Sequence, residues 1–585
     1  MTVRVTPTGA TVSTIQPQAF TATVGAAANS AVTWRVDGIA GGNASVGRIS
    51  TTGLYTPSPQ VASRTITAVS VQDPSKSGSA TIAVELLRGV LTYHNDNMRS
   101  GLNPLEAVLT PGNVKTATFG KLGALPVDGY VYAQPLYVVN VPIAGQLHDL
   151  VIVVTEHNSV YAFDASGASS APLWHTNFSD PANGKTTVPA GDTQCADIVP
   201  EIGITSTPVI DAVTGTLYVV AMTKENGVHA HRIHALDITT GGPRSGVATT
   251  LIQAAVAGSA APNDGAGRLL FSSLLLNQRA ALLLSNGALY VSFGSFCDLG
   301  DHHGWLLSYD AKTLKQLGAF SATPNGTEGG IWRPPAADAA GSVYAVTGDG
   351  TFDATSGGSG YGSTFLKFRD ATLNVSDYFT PFNQSTLEAV NADLGAGGAL
   401  LLPDQASGPV RLMVGAGKQG IVYLLDRDSM GGFHVGQDTQ IVQSFPVGTC
   451  GAGACAVFST PAYFNNTLYF AAAGDALRAF ALSNGKLALS RQSTSTLRWP
   501  GATPVVSANG ATNAIVWMLE TNGSGAPAVL RAHVAADVSI ELYTSAQNAA
   551  RDAPGKAIKH AVPTVFNGKV YVGVQGQVSI YGLLP

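Results

Sequence analysis

The stretch GAGKQGIVYLLDRDSMGG, residues 415–432, sets one cation, Lys418, among Gly415, Gly417 and Gly420 and just ahead of an apolar run at 422–425. An ammonium at the entrance of a buried strand is either a solvated loop charge or a charge aimed at a ligand. In the second case it stabilises negative charge as that charge develops. Other side chains invite the same question. In VHAHRIHALD, strand alternation puts His229 and His231 on one face and His234 on the other, which breaks a three-ligand metal set. His302 and His303 stand side by side in CDLGDHHGW. Arg498-Trp499 and Lys559-His560 precede Pro-bearing apolar runs and suit an anionic or sugar ligand. No Gly-x-Ser-x-Gly, HExxH, Walker or zinc spacing occurs, so serine hydrolase and metalloprotease chemistry has no support.

The elements that must position these residues are short strands. From about residue 118 a strand ending in an aromatic-acid pair, or a degenerate form of it, recurs: HNSVYAFD, HRIHALD, GWLLSYD, STFLKFR, GIVYLLD, DALRAFA, VLRAHV and GQVSIYG. A Pro-bearing element precedes most of them, as in YAQPLYV, TSTPVID, WRPPAAD, STPAYF, GATPVV and AVPTVF, and reads as the innermost strand, since proline is tolerated where a strand begins. Repetition of four-stranded units predicts a β-propeller, whose radial arrangement protects its strand edges. Eight units imply eight blades, or seven if one weak unit is an insertion. The last unit stops one strand short at Pro585, and residues 119–127, FGKLGALPV, are expected to supply that strand and close the ring.

Residues 1–88 read as alternating strands with Gly, Pro and Ser turns, a small β-sandwich. Residues 89–117 read as a linker or boundary, and 118–585 as the propeller. The all-β expectation agrees with composition: 585 residues carry only 12% charged side chains, against roughly 25% in ordinary soluble proteins. A net charge of −5 gives no reason to expect nucleic acid or an anionic membrane as partner. No apolar run reaches the roughly 18–20 residues of a membrane helix, and the first residues lack the features of a signal peptide. Four cysteines in a Thr- and Gly-rich chain point to an oxidising compartment. Cys450 with Cys455 could close a small loop, leaving Cys195 with Cys297; metal thiolates are the alternative.

Two resemblances follow from these residues. The order AVTWRVDGIAGGNASVGRISTTGLYTPSP resembles bacterial immunoglobulin-like domains, which implies a spacer or an adhesive module for a surface protein or glycan. The repeat units, with GKQGIVYLLDR, resemble the pyrroloquinoline quinone (PQQ) propellers, a group that includes alcohol, methanol and glucose dehydrogenases and members without the cofactor. That resemblance implies that Lys418 contacts the ortho-quinone oxygens and that Trp332, in EGGIWRPPAAD, stacks beneath the quinone. It also implies that Asp298, in SFCDLGDHHG, and Asp349, in AVTGDGTF, ligate Ca²⁺. The family's general base is an Asp; here the matching segment is YGSTFLKF, which puts Ser363 in its place, and Asp353 and Asp393 are the candidates to substitute. The vicinal cysteine pair and haem motif of some members are absent. The expectation is a secreted, periplasmic or cell-surface protein. It is either a PQQ- and Ca²⁺-dependent oxidoreductase acting on an alcohol or sugar, or a cofactor-free propeller that binds glycans or proteins.

Overall fold

Alternation of small polar and β-branched residues along the first part of the chain builds two packed layers. In the computed structural model, which describes residues 1–451 and 453–585, strands Gly9–Ser13, Ser77–Glu85, Ala62–Ser70, Val32–Val36 and Ile39–Ala40 form one sheet. Gln18–Ala19, Leu54–Thr56, Gly47–Ile49 and Gly42–Asn43 form the other. Side chains of alternate residues meet between them around Trp34, Tyr55, Ile66 and Ile82.

Beyond this sandwich the chain is a β-propeller. Eight sheets of three to five strands follow among the described residues, with innermost strands that begin at Leu136, Val209, Leu283, Ala336, Leu400, Ala462, Val505 and Thr564. The third is representative: Leu283–Ser285, Ala288–Ser295, Trp305–Asp310 and Gln316–Ser321 pair antiparallel in chain order. Continuous Val, Leu and Tyr runs in the second and third strands have a simple cause. Both faces of each sheet are covered, so alternation gives way to uniform burial.

The packing runs round a closed ring. Tyr218 and Ile233 of the second sheet meet Val291 and Leu307 of the third. Leu306 of the third meets Val343 of the fourth, and Phe365 of the fourth meets Tyr423 of the fifth. Val414 of the fifth meets Phe470 of the sixth, Tyr469 of the sixth meets Val516 of the seventh, and Trp517 of the seventh meets Val570 of the eighth. Tyr571 and Val578 then return to Tyr137 and Val151 of the first sheet, whose Ala162 lies with Leu217 of the second. The eighth sheet joins the two ends of this part of the chain. Strand Lys569–Leu583 pairs with Thr564–Phe566 at one end and with Phe119–Tyr130 at the other, Phe119 opposite Leu583 and Leu125 opposite Val578.

The segment expected to be a linker is a structural part of the ring. Gly89–Val90 pairs with Val138 and Tyr137 of the first sheet. Backbone amides of Ile210, Ala337, Leu401, Tyr463 and Val506 donate to Leu91, Asn97, Met98, Ser100 and Gly101. Asn97 Nδ2 donates to Leu284 O and Asn103 Nδ2 to Val565 O, each at 2.8 Å. Thus residues 89–103 are hydrogen-bonded to the innermost strand of every sheet and close one end of the central channel. Free strand edges facing the channel would leave unpaired amides, and this segment satisfies them.

Disulfides join Cys195 to Cys297 and Cys450 to Cys455, the pairing expected from the sequence. No helix among the described residues is long and apolar enough to cross a membrane.

Candidate functional site

Each innermost strand is entered by a short irregular segment, and these entrances converge on the channel end opposite the segment at 89–103. They bring Gln134, Thr205, Arg279, Trp332, Arg333, Asp393, Phe458, Trp499, Lys559 and His560 to the axis. The loops that leave the second strands Ala288–Ser295 and Leu412–Ala416 add Asp298 and Lys418 to the same place. The result is an outer cavity of about 180 Å³ and an inner one of about 30 Å³. Arg279, Trp332, Lys559 and His560 line both and so form the partition.

Trp332 is fixed by glycine. A Cβ on Gly294, Gly330 or Gly348 would come within 2.1, 2.5 or 2.3 Å of the indole. Three side chains are absent where the ring lies, which is the steric condition for seating a flat aromatic at a crowded axis. Its Nε1 donates to Ser295 O at 3.4 Å.

Lys418 Nζ lies 2.5 Å from Asp393 Oδ2, and its backbone amide donates to Asp393 O at 2.9 Å. Asp393 is 3% exposed and its Oδ1 accepts from the Asp349 amide at 3.1 Å. Burial, and then Asp393 beside it, push the Asp349 carboxyl well above the usual carboxylate range. Asp349 therefore holds a proton beside Asp393, whose side chain is paired with Lys418. Two buried carboxylates side by side are also hard oxygen donors suited to a divalent cation. Asp298 stands apart from this pair, its Oδ1 accepting from Ser295 Oγ at 2.6 Å with His302 Nε2 at 3.9 Å.

The three candidates for the base separate clearly. Asp393 lines the outer cavity. Asp353 accepts from Gly360 N at 2.6 Å within its own loop and lines neither cavity. Ser363 has no exposed surface, its Oγ has no partner, and its amide is tied to Gly348 O at 2.5 Å. It lines neither cavity, so assigning the base position to Ser363 is corrected: the sequence match put a buried turn residue there.

The histidines of VHAHRIHALD do not converge. His229 Nε2 is 2.8 Å from Asp192, His231 lies edge-on to Phe271 and Phe293, and His234 stacks on Phe178. Among the described residues one set of three potential metal donors comes together, Cys195, Asp197 and Cys297, and its two sulfurs are bonded to each other. Sequence reading missed Arg279, Arg333 and Asp197. Arg279 and Arg333 stand before innermost strands, as Lys559-His560 does, and that shared position was the available signal.

No family model matches the chain, and no curated protein matches it. Solved structures do. The quinohemoprotein alcohol dehydrogenase ADHIIG from Pseudomonas putida HK5 aligns with TM-score 0.58 at 14% identity, over 85% of this chain and 80% of that one. The quinohemoprotein alcohol dehydrogenase from Comamonas testosteroni aligns with TM-score 0.57 at 14% identity, over 84% and 80%. A europium-containing methanol dehydrogenase aligns with TM-score 0.56 at 12% identity, over 85% and 98%. At these identities the likeness is one of fold, a β-propeller.

Proposed function

We propose that this chain is an eight-bladed, PQQ-type propeller oxidoreductase of the periplasm or cell exterior, acting on an alcohol or sugar, with an immunoglobulin-like module at residues 1–88 as spacer. The observation that carries the reading is the Lys418–Asp393 ion pair, at 2.5 Å, in the same cavity as the Trp332 indole and the cations Arg279 and Lys559. A planar polycarboxylate fits that lining, because an aromatic floor and several cations are what its ring and carboxylates require.

Bound quinone would supply the two-electron acceptor that oxidation of an alcohol needs. Trp332, seated among its glycines, would orient the ring, and Lys418 would hold its carbonyl oxygens. Asp393, held in place by Lys418, would take the hydroxyl proton of the substrate at a carboxylate oxygen. Asp349, beside Asp393, would offer oxygen donors to Ca²⁺, and Asp298, apart from that pair, would contribute only from across the outer cavity. Phe458 and Trp499, at the cavity rim, would limit water.

The test is a titration of the protein with PQQ, with and without Ca²⁺, followed by Trp fluorescence and quinone absorbance. Saturable binding is expected, weakened about tenfold or more in Lys418→Ala, the loss typical of one charge-assisted hydrogen bond. Turnover of a dye-linked alcohol should fall by about 10²–10⁴ in Asp393→Asn, with binding retained. Absence of PQQ binding would remove the oxidoreductase. The rim would then favour a second reading, a carbohydrate-binding propeller, since Trp499 is 51% exposed there and offers a face to a sugar ring.

A further inference from the structure

The inner cavity has a chemistry of its own. Its charged lining residues are Arg279, Arg333 and Lys559, and no carboxylate borders it. Arg333 is 6% exposed and spends its hydrogen bonds on the neutral carbonyls of Ala396, at 2.7 Å, and Phe458, with His560 Nδ1 at 3.3 Å. Neither Arg333 nor Arg279 has a carboxylate within ion-pair distance among the described residues; Lys559 pairs with Asp197 at 2.7 Å, on the outer side. Over both cavities four cations, Arg279, Arg333, Lys418 and Lys559, face three carboxylates, Asp197, Asp298 and Asp393, and all three border the outer cavity.

Unused donors point the same way. Gln134 is 1% exposed; its Oε1 accepts from His94 N at 2.8 Å, which fixes Nε2 as the free end, and Nε2 has no partner. Tyr93 OH and Arg279 Nε, also shielded from solvent, have none either. All three residues line the inner cavity. Buried donors left empty are costly, and a buried cation without a counter-charge more so.

We propose that the inner cavity is a binding site for one small monovalent anion of halide size, held by Arg279, Arg333, Lys559 and Gln134 Nε2. Size selects the class: about 30 Å³ accommodates one or two water-sized species and excludes a carboxylated ring system. Burial and the Arg279 charge lower Arg333 to about 9, and burial with the cations Arg333, Arg279 and Lys559 holds His560 far below its usual range. Burial is the larger cause of both shifts, and the neighbouring cations add to it. A halide there neutralises the one excess charge beneath the Trp332 partition. The site stands whether or not a quinone occupies the outer cavity.

Crystals of the protein soaked in bromide test this directly by anomalous scattering. The expected result is a bromide peak within the inner cavity, in contact with Arg279 and Arg333. In solution, at fixed ionic strength, exchanging sulfate for chloride should raise Tm saturably. Gln134→Leu and Arg333→Gln should each weaken the apparent chloride affinity, Arg333→Gln by about tenfold or more. The proposal is overturned if bromide appears only in the outer cavity or nowhere. It is equally overturned if Tm follows ionic strength alike for chloride and sulfate. The crystallographic arm uses the unaltered protein, so a variant that fails to fold does not decide the matter.

Discussion

Glu156 shows how one buried side chain sets a pH dependence for the whole chain. It is 1% exposed, its Oε2 accepts from Gly203 N at 2.8 Å and Thr205 Oγ1 at 3.1 Å, and its Oε1 has no partner. Burial outweighs those two donors and pushes its carboxyl up to about 8. The folded protein thus keeps a proton that the unfolded chain loses near the ordinary Glu value of roughly 4.3. Between those two values the folded state binds more protons, so stability falls as pH rises, with a slope from this group of up to about 1.4 kcal/mol per pH unit. Glu156→Gln, neutral at every pH, should remove that part of the slope. Urea unfolding of the two proteins between pH 5 and 8, on the order of the window above, is the check: parallel pH profiles would mean that Glu156 is ionised in the folded state.

At the scale of elements, the site depends on strand ends that leave room for a ring. Gly348 follows strand Val343–Val346, and a Cβ there would lie 2.3 Å from both Trp332 Cζ3 and Asp393 Oδ1. Neither neighbour is a flexible chain end, since Asp393 is pinned by Lys418 and the indole is pinned by Gly294 and Gly330. Gly348→Ala should therefore shift Trp fluorescence and, on the proposed function, weaken quinone binding, by displacing Trp332 and Asp393 together. Gly123→Ala, where a Cβ meets nothing within 4 Å, is the matched control and should leave both unchanged. Equal effects of the two substitutions would show that the glycine cradle does not fix the indole.

For the whole molecule, the segment at 89–103 does for the channel what the pairing of Phe119–Tyr130 with Lys569–Leu583 does for the ring. Its anchor is Arg99, without exposed surface, which donates to Pro335 O at 2.9 Å, Tyr93 O at 2.9 Å, Thr92 Oγ1 at 3.0 Å and Leu282 O at 3.2 Å. The guanidinium thereby ties the third and fourth sheets to the segment. Arg99→Ala would leave several buried acceptors empty and should cost roughly 3 kcal/mol or more. Arg99→Lys should recover only part of this, because one ammonium cannot reproduce a planar fork. Urea unfolding measures both, and a loss below about 1 kcal/mol for Arg99→Ala would mean that the segment does not stabilise the ring.

The repeat period, the Pro-bearing strand starts and the run at 119–127 were legible because each is a local pattern, set by how a strand buries its faces or begins. Lys418 drew attention by its glycine frame, and Trp332 and Asp349 by the family resemblance of the motifs around them. Their assembly was not legible. Asp393 was separated from Asp353 and Ser363 only by the convergence of entrances from different sheets, since sequence spacing does not measure distance across a ring. The role of residues 89–103 was hidden likewise, because a segment that hydrogen-bonds to eight partners in turn carries no periodicity of its own. The sequence by itself determined what each strand is; the tertiary structure decided which strand ends share the axis, because closure of the ring brings residues from distant repeats to one point.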